Sequence, residues 1–339
     1  MKITLSSQAP VVIRKAACGL AGVLCLLTTF AAPTLAQDTQ EPPVAGQTLK
    51  VTTEVVNVYA VVKDKKGHLI PNLNKEDFEV REDKVPQKIL YFSRETDTPL
   101  TMGILVDTSP SQEHVLSLEQ REAKAFLQQV LRPKDLAFVL HFDLEVELLQ
   151  DFTASQNLLA KAIDETVING GGGGPLPSTF PRGDPCCTQL YDAVYLASSE
   201  LMKNEVGRKV LIVLTDGEDM GSKVKLETAL EAAQKSDVII YCINISDRMF
   251  YMGMGMPFSG ESVLKKIAED TGGRVIDVKR ERDAHAAFQQ IADELRTQYL
   301  LGYTPTNTKH DGSFRKIEVR ATNGNYKVQA RRGYYAPAD

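Results

Sequence analysis

Cysteine and histidine are scarce in this sequence, with 5 of each in 339 residues. Cys18 and Cys25 fall in the N-terminal leader described below, which leaves Cys186, Cys187 and Cys242. Three cysteines make no disulfide framework, and an adjacent pair does not close on itself in ordinary disulfide geometry. Cys242 lies in an apolar stretch and reads as a buried strand residue, while no role follows for Cys186-Cys187. His68, His114, His141, His285 and His310 are scattered, with no zinc-ligand spacing and no His-Glu-x-x-His. Also missing are the Gly-x-Ser-x-Gly elbow of a serine hydrolase and the Gly-Lys-Ser/Thr ending of a phosphate loop. No basic block or basic-aromatic stripe occurs and the net charge is -5, which argues against nucleic acid or anionic lipid as a partner. Beyond the leader, no apolar run is long enough to span a bilayer.

Hydrophobic residues make up 43% of the chain, enough for one large domain with a smaller one beside it. The first 36 residues read as a cleaved signal peptide: Arg14 and Lys15 precede the apolar run Ala16 to Phe30, and Thr34-Leu35-Ala36 supplies small residues for cleavage. The expected product is secreted or periplasmic, with no membrane span after signal removal. Residues 37–47 are polar and contain Pro42-Pro43, as in a disordered linker. Residues 48–97 alternate apolar and polar positions (Val51, Val55, Val58, Ala60, Val62), then give Phe78–Glu82, a turn at Asp83-Lys84, and Gln87 to Phe92. They predict a small β segment of four strands. Residues 298–339 predict further strands at Tyr299–Tyr303, Phe314–Ala321 and Tyr326–Tyr335, joined by Asp311-Gly312 and Asn323-Gly324-Asn325 turns. These strands could pair with the N-terminal ones.

Between the β segments, residues 98–297 alternate strand and helix patterns, the mark of a doubly wound, mostly parallel α/β sheet. Strands are expected at Met102–Val106, Leu136–Phe142, Val210–Thr215, Val238–Ile243 and Arg274–Val278. Amphipathic segments lie near Glu119–Leu131, Ser155–Val167, Gln189–Lys203, Lys225–Lys235, Ser262–Asp270 and Ala284–Leu295.

One segment carries chemistry. The first apolar strand runs into Asp107-Thr108-Ser109-Pro110-Ser111, a carboxylate and two hydroxyls at alternate positions in a turn. Such an oxygen set suits a hard divalent cation. A second strand ends in Thr215-Asp216-Gly217, and Thr188 stands at a helix start in Thr188-Gln189-Leu190-Tyr191-Asp192. A doubly wound sheet gathers such loops at the C-terminal ends of its strands. The plainer reading is that Asp107 and Asp216 cap the helices that follow.

The Asp-x-Ser-x-Ser loop, the threonine loop and the aspartate loop, in that order, resemble the metal-ion-dependent adhesion site of a von Willebrand factor type A (VWFA) domain. The flanks, with Lys63-Asp64-Lys65-Lys66-Gly67, Glu76-Asp77-Phe78 and the ending Gly333-Tyr334-Tyr335-Ala336-Pro337, resemble the exported VWFA-related proteins common in acidobacteria. The resemblance implies metal ligation by Asp107, Ser109, Ser111, Thr188 and Asp216. It implies Mg²⁺ or Mn²⁺ as cofactor and a protein partner offering an Asp or Glu carboxylate. It implies binding rather than catalysis. Two other functions stay open: a metal-assisted phosphohydrolase and a metal-free cell-envelope scaffold. The glycine-rich loop of residues 170–187, which contains Arg182-Gly183-Asp184, the tripeptide read by animal integrins, either shapes the ligand face or is a mobile insertion. Met249 to Met256 forms a methionine-rich loop.

Overall fold

A computed structural model describes residues 55–94, 98–168, 188–245 and 260–338. The leader, the linker, Cys186-Cys187, the glycine-rich loop and the methionine-rich loop lie outside the described residues. In chain order the strands are β1 (Val56–Lys63), β2 (Phe78–Glu82), β3 (Val85–Gln87), β4 (Ile89–Arg94), β5 (Leu100–Asp107), β6 (Leu136–Phe142) and β7 (Val146–Thr153). They continue with β8 (Arg208–Thr215), β9 (Val238–Ile245), β10 (Val275–Val278), β11 (Tyr299–Tyr303), β12 (Phe314–Ala321), β13 (Lys327–Ala330) and β14 (Gly333–Tyr335). The helices are α1 (Leu116–Val130), α2 (Gln156–Asp164), α3 (Leu190–Leu196), α4 (Leu226–Lys235), α5 (Gly260–Thr271) and α6 (Glu281–Arg296).

The central sheet has six strands in the order β10-β9-β8-β5-β6-β7, parallel except at β7. Its strands are apolar on both faces because both faces are covered by helices. Met102, Ile104 and Val106 of β5 pack with α1, α2 and α6. Leu105 packs on the opposite face with α3, α4 and α5. Gly103 holds a position where a Cβ would stand 2.3 Å from the Phe138 ring and 2.6 Å from Leu211, so neighbouring strands close over it. Cys242 is a free thiol buried in β9, and burial pushes its pKa up, so it is inert.

Both chain ends build a flanking all-β module of two four-stranded sheets, ordered β13-β1-β11-β4 and β14-β12-β2-β3. Its core includes Val58, Ala60, Val62, Phe78, Val80, Tyr299, Leu301, Tyr303 and Ile317. The Asp83-Lys84 turn has positive φ at both residues, 47° and 71°, as a tight hairpin between β2 and β3 requires. Lys63 of β1 joins Glu294 of α6 at 2.7 Å, and Arg274 donates to the same carboxylate.

Several strand readings need correction. The stretch Gln87 to Phe92 breaks at Lys88, and β3 and β4 enter different sheets. The stretch Tyr326–Tyr335 likewise divides into β13 and β14. Alternation in β1 is set by Val56, Val58, Ala60 and Val62, while Val55 is exposed. Strand β7 was not expected: it turns back at the Asp143-Leu144-Glu145 bend and pairs antiparallel with β6.

Candidate metal centre

Strands β5 and β8 are neighbours with Val106 opposite Leu214, so Asp107 and Thr215 emerge side by side at the C-terminal edge of the sheet. The Thr215 hydroxyl donates to Asp107 Oδ2 at 2.6 Å, and the Ser109 N–H donates to Asp107 Oδ1 at 2.9 Å. A short 3₁₀ turn, Pro110–Gln112, then carries Ser111 and Gln112 back under the loop, where both are buried. Ser109 and Ser111 share a hydrogen bond of 3.1 Å between their hydroxyls. Ser111 Oγ donates to Asp216 Oδ2 at 2.7 Å, and Gln112 Nε2 donates to the same oxygen at 2.9 Å.

Alternation along the loop explains who faces whom. Asp107, Ser109 and Ser111 fall on one side, and Thr108 on the other, where its hydroxyl donates to Asp143 Oδ2 at 2.6 Å and meets His141 Nδ1 at 2.9 Å. The turn after Asp216 needs Gly217. Its φ is +89°, and a Cβ there would stand 2.6 Å from Leu264 and 2.7 Å from the Gly260 carbonyl.

Thus Asp107, Ser109, Ser111 and Asp216 form one hydrogen-bonded set. Thr188 is buried and sits at the same edge of the sheet. Its carbonyl accepts from the Met220 N–H at 2.9 Å, and the next residue's N–H donates to Asp143 O at 3.0 Å. Among the described residues no hydrogen bond joins the Thr188 hydroxyl to the other four. Asp219, three residues beyond Asp216, is half-buried. It accepts from the Tyr191 N–H and from Ser222 Oγ, fastening the start of α3. His114 is exposed.

Asp107 is fully buried and enters no ion pair among the described residues. Burial, then the negative charge of Asp216, pushes its pKa up to about 7. Two residues of this environment escaped the sequence reading. Gln112 and Glu119 are both completely buried, and among the described residues Gln112 Oε1 and both Glu119 oxygens have no hydrogen-bond partner. Glu119 is held well above the usual carboxylate range by burial and then by the charges of Asp107 and Asp216. The signal was present: Glu119 falls on the α1 stripe with Ala123, Phe126 and Val130, positions that face the core. Among the described residues no three His, Cys, Asp or Glu side chains are grouped tightly enough to hold an ion by themselves. The available donor set is instead two carboxylates with neutral hydroxyls. Its buried negative charge and short oxygen-rich loops fit a hard divalent cation.

Residues 187–293 match the family model of the von Willebrand factor type A domain. The matched span holds Thr188 and Asp216 and begins after the Asp107–Ser111 loop. No curated protein matches the sequence. Among solved structures, proximal thread matrix protein 1 from the mussel byssus, with a zinc-occupied MIDAS motif, is similar at 18% identity and a TM-score of 0.47. That likeness covers 63% of this chain and 50% of that one, so the chain spans about half the length of the mussel protein. BatB from Bacteroides thetaiotaomicron is similar at 17% identity and a TM-score of 0.42, covering 57% of this chain and 98% of that one. A von Willebrand factor type A protein from Catenulispora acidiphila is similar at 11% identity and a TM-score of 0.45, covering 77% and 74%.

Proposed function

We propose that the chain is an exported, adhesion-type protein-binding module that captures a partner's Asp or Glu carboxylate on a divalent cation. Asp107, Ser109, Ser111, Thr188 and Asp216 would hold the cation, with Mg²⁺ or Mn²⁺ the proposed ion. The observation that carries this reading is the burial of Asp107 beside Asp216 within a set of serine hydroxyls, with the Asp107 carboxyl pushed up to about 7. A bound cation supplies the positive centre to which an outside carboxylate is drawn. The chain's part is to present neutral hydroxyls and two acids. The two acids among its direct ligands offset a divalent ion without exceeding its charge, and an open coordination position is left for an outside carboxylate. The von Willebrand factor type A match over residues 187–293 supports a protein-interaction role.

Export rests on the leader of residues 1–36, and no helix among the described residues is long and apolar enough to cross a membrane. Kinship with the exported acidobacterial proteins rests on the flanking β motifs. In this reading residues 98–297 are the binding domain, residues 48–97 and 298–339 brace it, and no step is catalytic. The deciding experiment is capture of partners from exported proteins with and without EDTA. Partners lost with EDTA, and lost again with Asp107→Ala, support metal-bridged binding; recovery unaffected by either overturns it. Turnover of generic phosphate esters would favour the phosphohydrolase instead.

A further inference from the structure

Helix α1 begins at Leu116, five residues beyond Ser111, and Glu119 lies in its first turn. An acid in a first helical turn ordinarily faces water and complements the helix dipole. Glu119 is 0% exposed, and among the described residues neither of its oxygens receives a hydrogen bond. Its neighbour on the same helix shows the usual arrangement. Glu122 is also buried, but Arg121 donates to one of its oxygens at 3.0 Å and His285 Nδ1 meets the other at 3.2 Å. The described residues therefore supply partners to Glu122 and none to Glu119.

What Glu119 does have nearby is negative charge. Asp107 and Asp216 are buried at the sheet edge that the Asp107–Ser111 loop leaves to enter α1, and Gln112, ahead of Glu119 in the chain, donates to Asp216 at 2.9 Å. Gln112 lies on the turn that leads into α1: its backbone carbonyl accepts from the Val115 N–H at 3.0 Å, and the Val115 carbonyl accepts from the Glu119 N–H at 3.0 Å. The side-chain nitrogen of Gln112 is spent on Asp216, and its side-chain oxygen is left without a donor among the described residues. Buried acceptor oxygens that lack donors are costly, and three of them beside two more carboxylates are a poor way to stabilise a fold. They are a good way to attract a cation.

We infer that Glu119 is a third anionic group of the cation site, acting as a positioning residue through an intervening water and raising the site's affinity for divalent ions. The indirect route follows from the geometry, since Glu119 is not grouped with Asp107 and Asp216 closely enough for all three to hold one ion. The orphan Gln112 oxygen gives such a water a second acceptor. This inference rests on the metal-binding reading of the preceding section.

The test uses the full chain, MnCl₂ as probe, and the isosteric variant Glu119→Gln, with thermal unfolding in EDTA and calorimetric Mn²⁺ titration at pH 8. Two effects of opposite sign are expected. In EDTA the variant melts several degrees higher than the parent, because a buried, donorless acid has been neutralised. Its Mn²⁺ affinity falls at least tenfold. A purely structural role for Glu119 would move the melting temperature and leave the affinity alone. Mn²⁺ affinity within twofold of the parent therefore overturns the inference, as does a variant that melts lower in EDTA. If Glu119→Gln fails to fold, Glu119→Leu serves the same comparison. A parent chain that binds no Mn²⁺ overturns the metal site itself, a failure distinguishable from that of Glu119 alone.

Discussion

Glu82 of the β module is 2% exposed and Asp107 of the parallel sheet is 0% exposed, yet the chain surrounds these two carboxylates in opposite ways. Around Glu82 stand Arg315 at 3.6 Å and the hydroxyls of Tyr303 and Tyr334, which donate at 2.8 and 2.9 Å. Arg315 is buried too, and donates in addition to the carbonyls of Asn307 and Lys309. Charge is matched by charge, and lone pairs by donors. At the sheet edge, among the described residues, Asp107 accepts from Thr215 and from the Ser109 N–H and meets no cationic side chain, and no donor reaches Glu119. A buried acid that serves architecture is given its counter-charge by the chain. In the proposed reading, Asp107 and Glu119 at the sheet edge are left for a cation to neutralise.

The contrast can be broken first at Glu82. Glu82→Ala leaves Arg315 buried without its counter-ion, and a loss of about 3–5 kcal/mol is expected in urea unfolding. At the sheet edge, Asp107→Ala should instead abolish the stabilisation that Mn²⁺ confers. That stabilisation is about 2.7 kcal/mol at an ion concentration of 100 Kd, read as the difference in melting with and without EDTA. Loss of Mn²⁺ response in the Glu82 variant, provided it folds, would erase the distinction between the two regions.

Acidity sharpens the comparison. The folded-state pKa of Asp107, pushed up to about 7, lies above its unfolded value near 3.9. The folded state then holds the proton longer than the unfolded one. Stability of the metal-free protein should therefore fall as pH rises from about 4 to about 7, by up to about 4 kcal/mol. Saturating Mn²⁺ should flatten that slope. Melting curves across this range in EDTA and in Mn²⁺ check both statements. The smallest effect is expected at the surface. Arg332 is half-exposed and pairs with Glu269 and Asp270, so Arg332→Ala should cost less than about 1 kcal/mol and leave Mn²⁺ binding unchanged.

The sequence revealed the sheet-edge loops because apolar strands running into Asp107 and Asp216 interrupt a strong pattern at a meaningful place. It revealed the two-sided sheet because strands buried on both faces are continuously apolar. Glu119 was overlooked although its spacing to Ala123, Phe126 and Val130 puts it on the apolar stripe of α1: an acid in a first helical turn is taken for a solvated one until its burial is known. Thr215 was overlooked as the last residue of a strand, although its hydroxyl is fixed on Asp107. Strand β7 carries mixed polarity along an exposed edge and offers no clean period. The breaks at Lys88 and between β13 and β14 were illegible because local alternation does not say which sheet a strand joins.

The β module also bears on how the molecule comes to be made. Its Tyr334–Glu82 bond joins residues 252 positions apart, and β1 pairs with β11 and β13 from the other end of the chain. Contacts of such separation form late, because the entropy of closing the intervening loop must be met before they return any energy. The parallel sheet, whose strands follow one another at shorter range, can gather first. During synthesis β1 to β4 must then wait, with apolar faces uncovered, until the final forty or so residues arrive. Protection of those waiting strands, more than the stability of the finished fold, would decide how much protein reaches its destination.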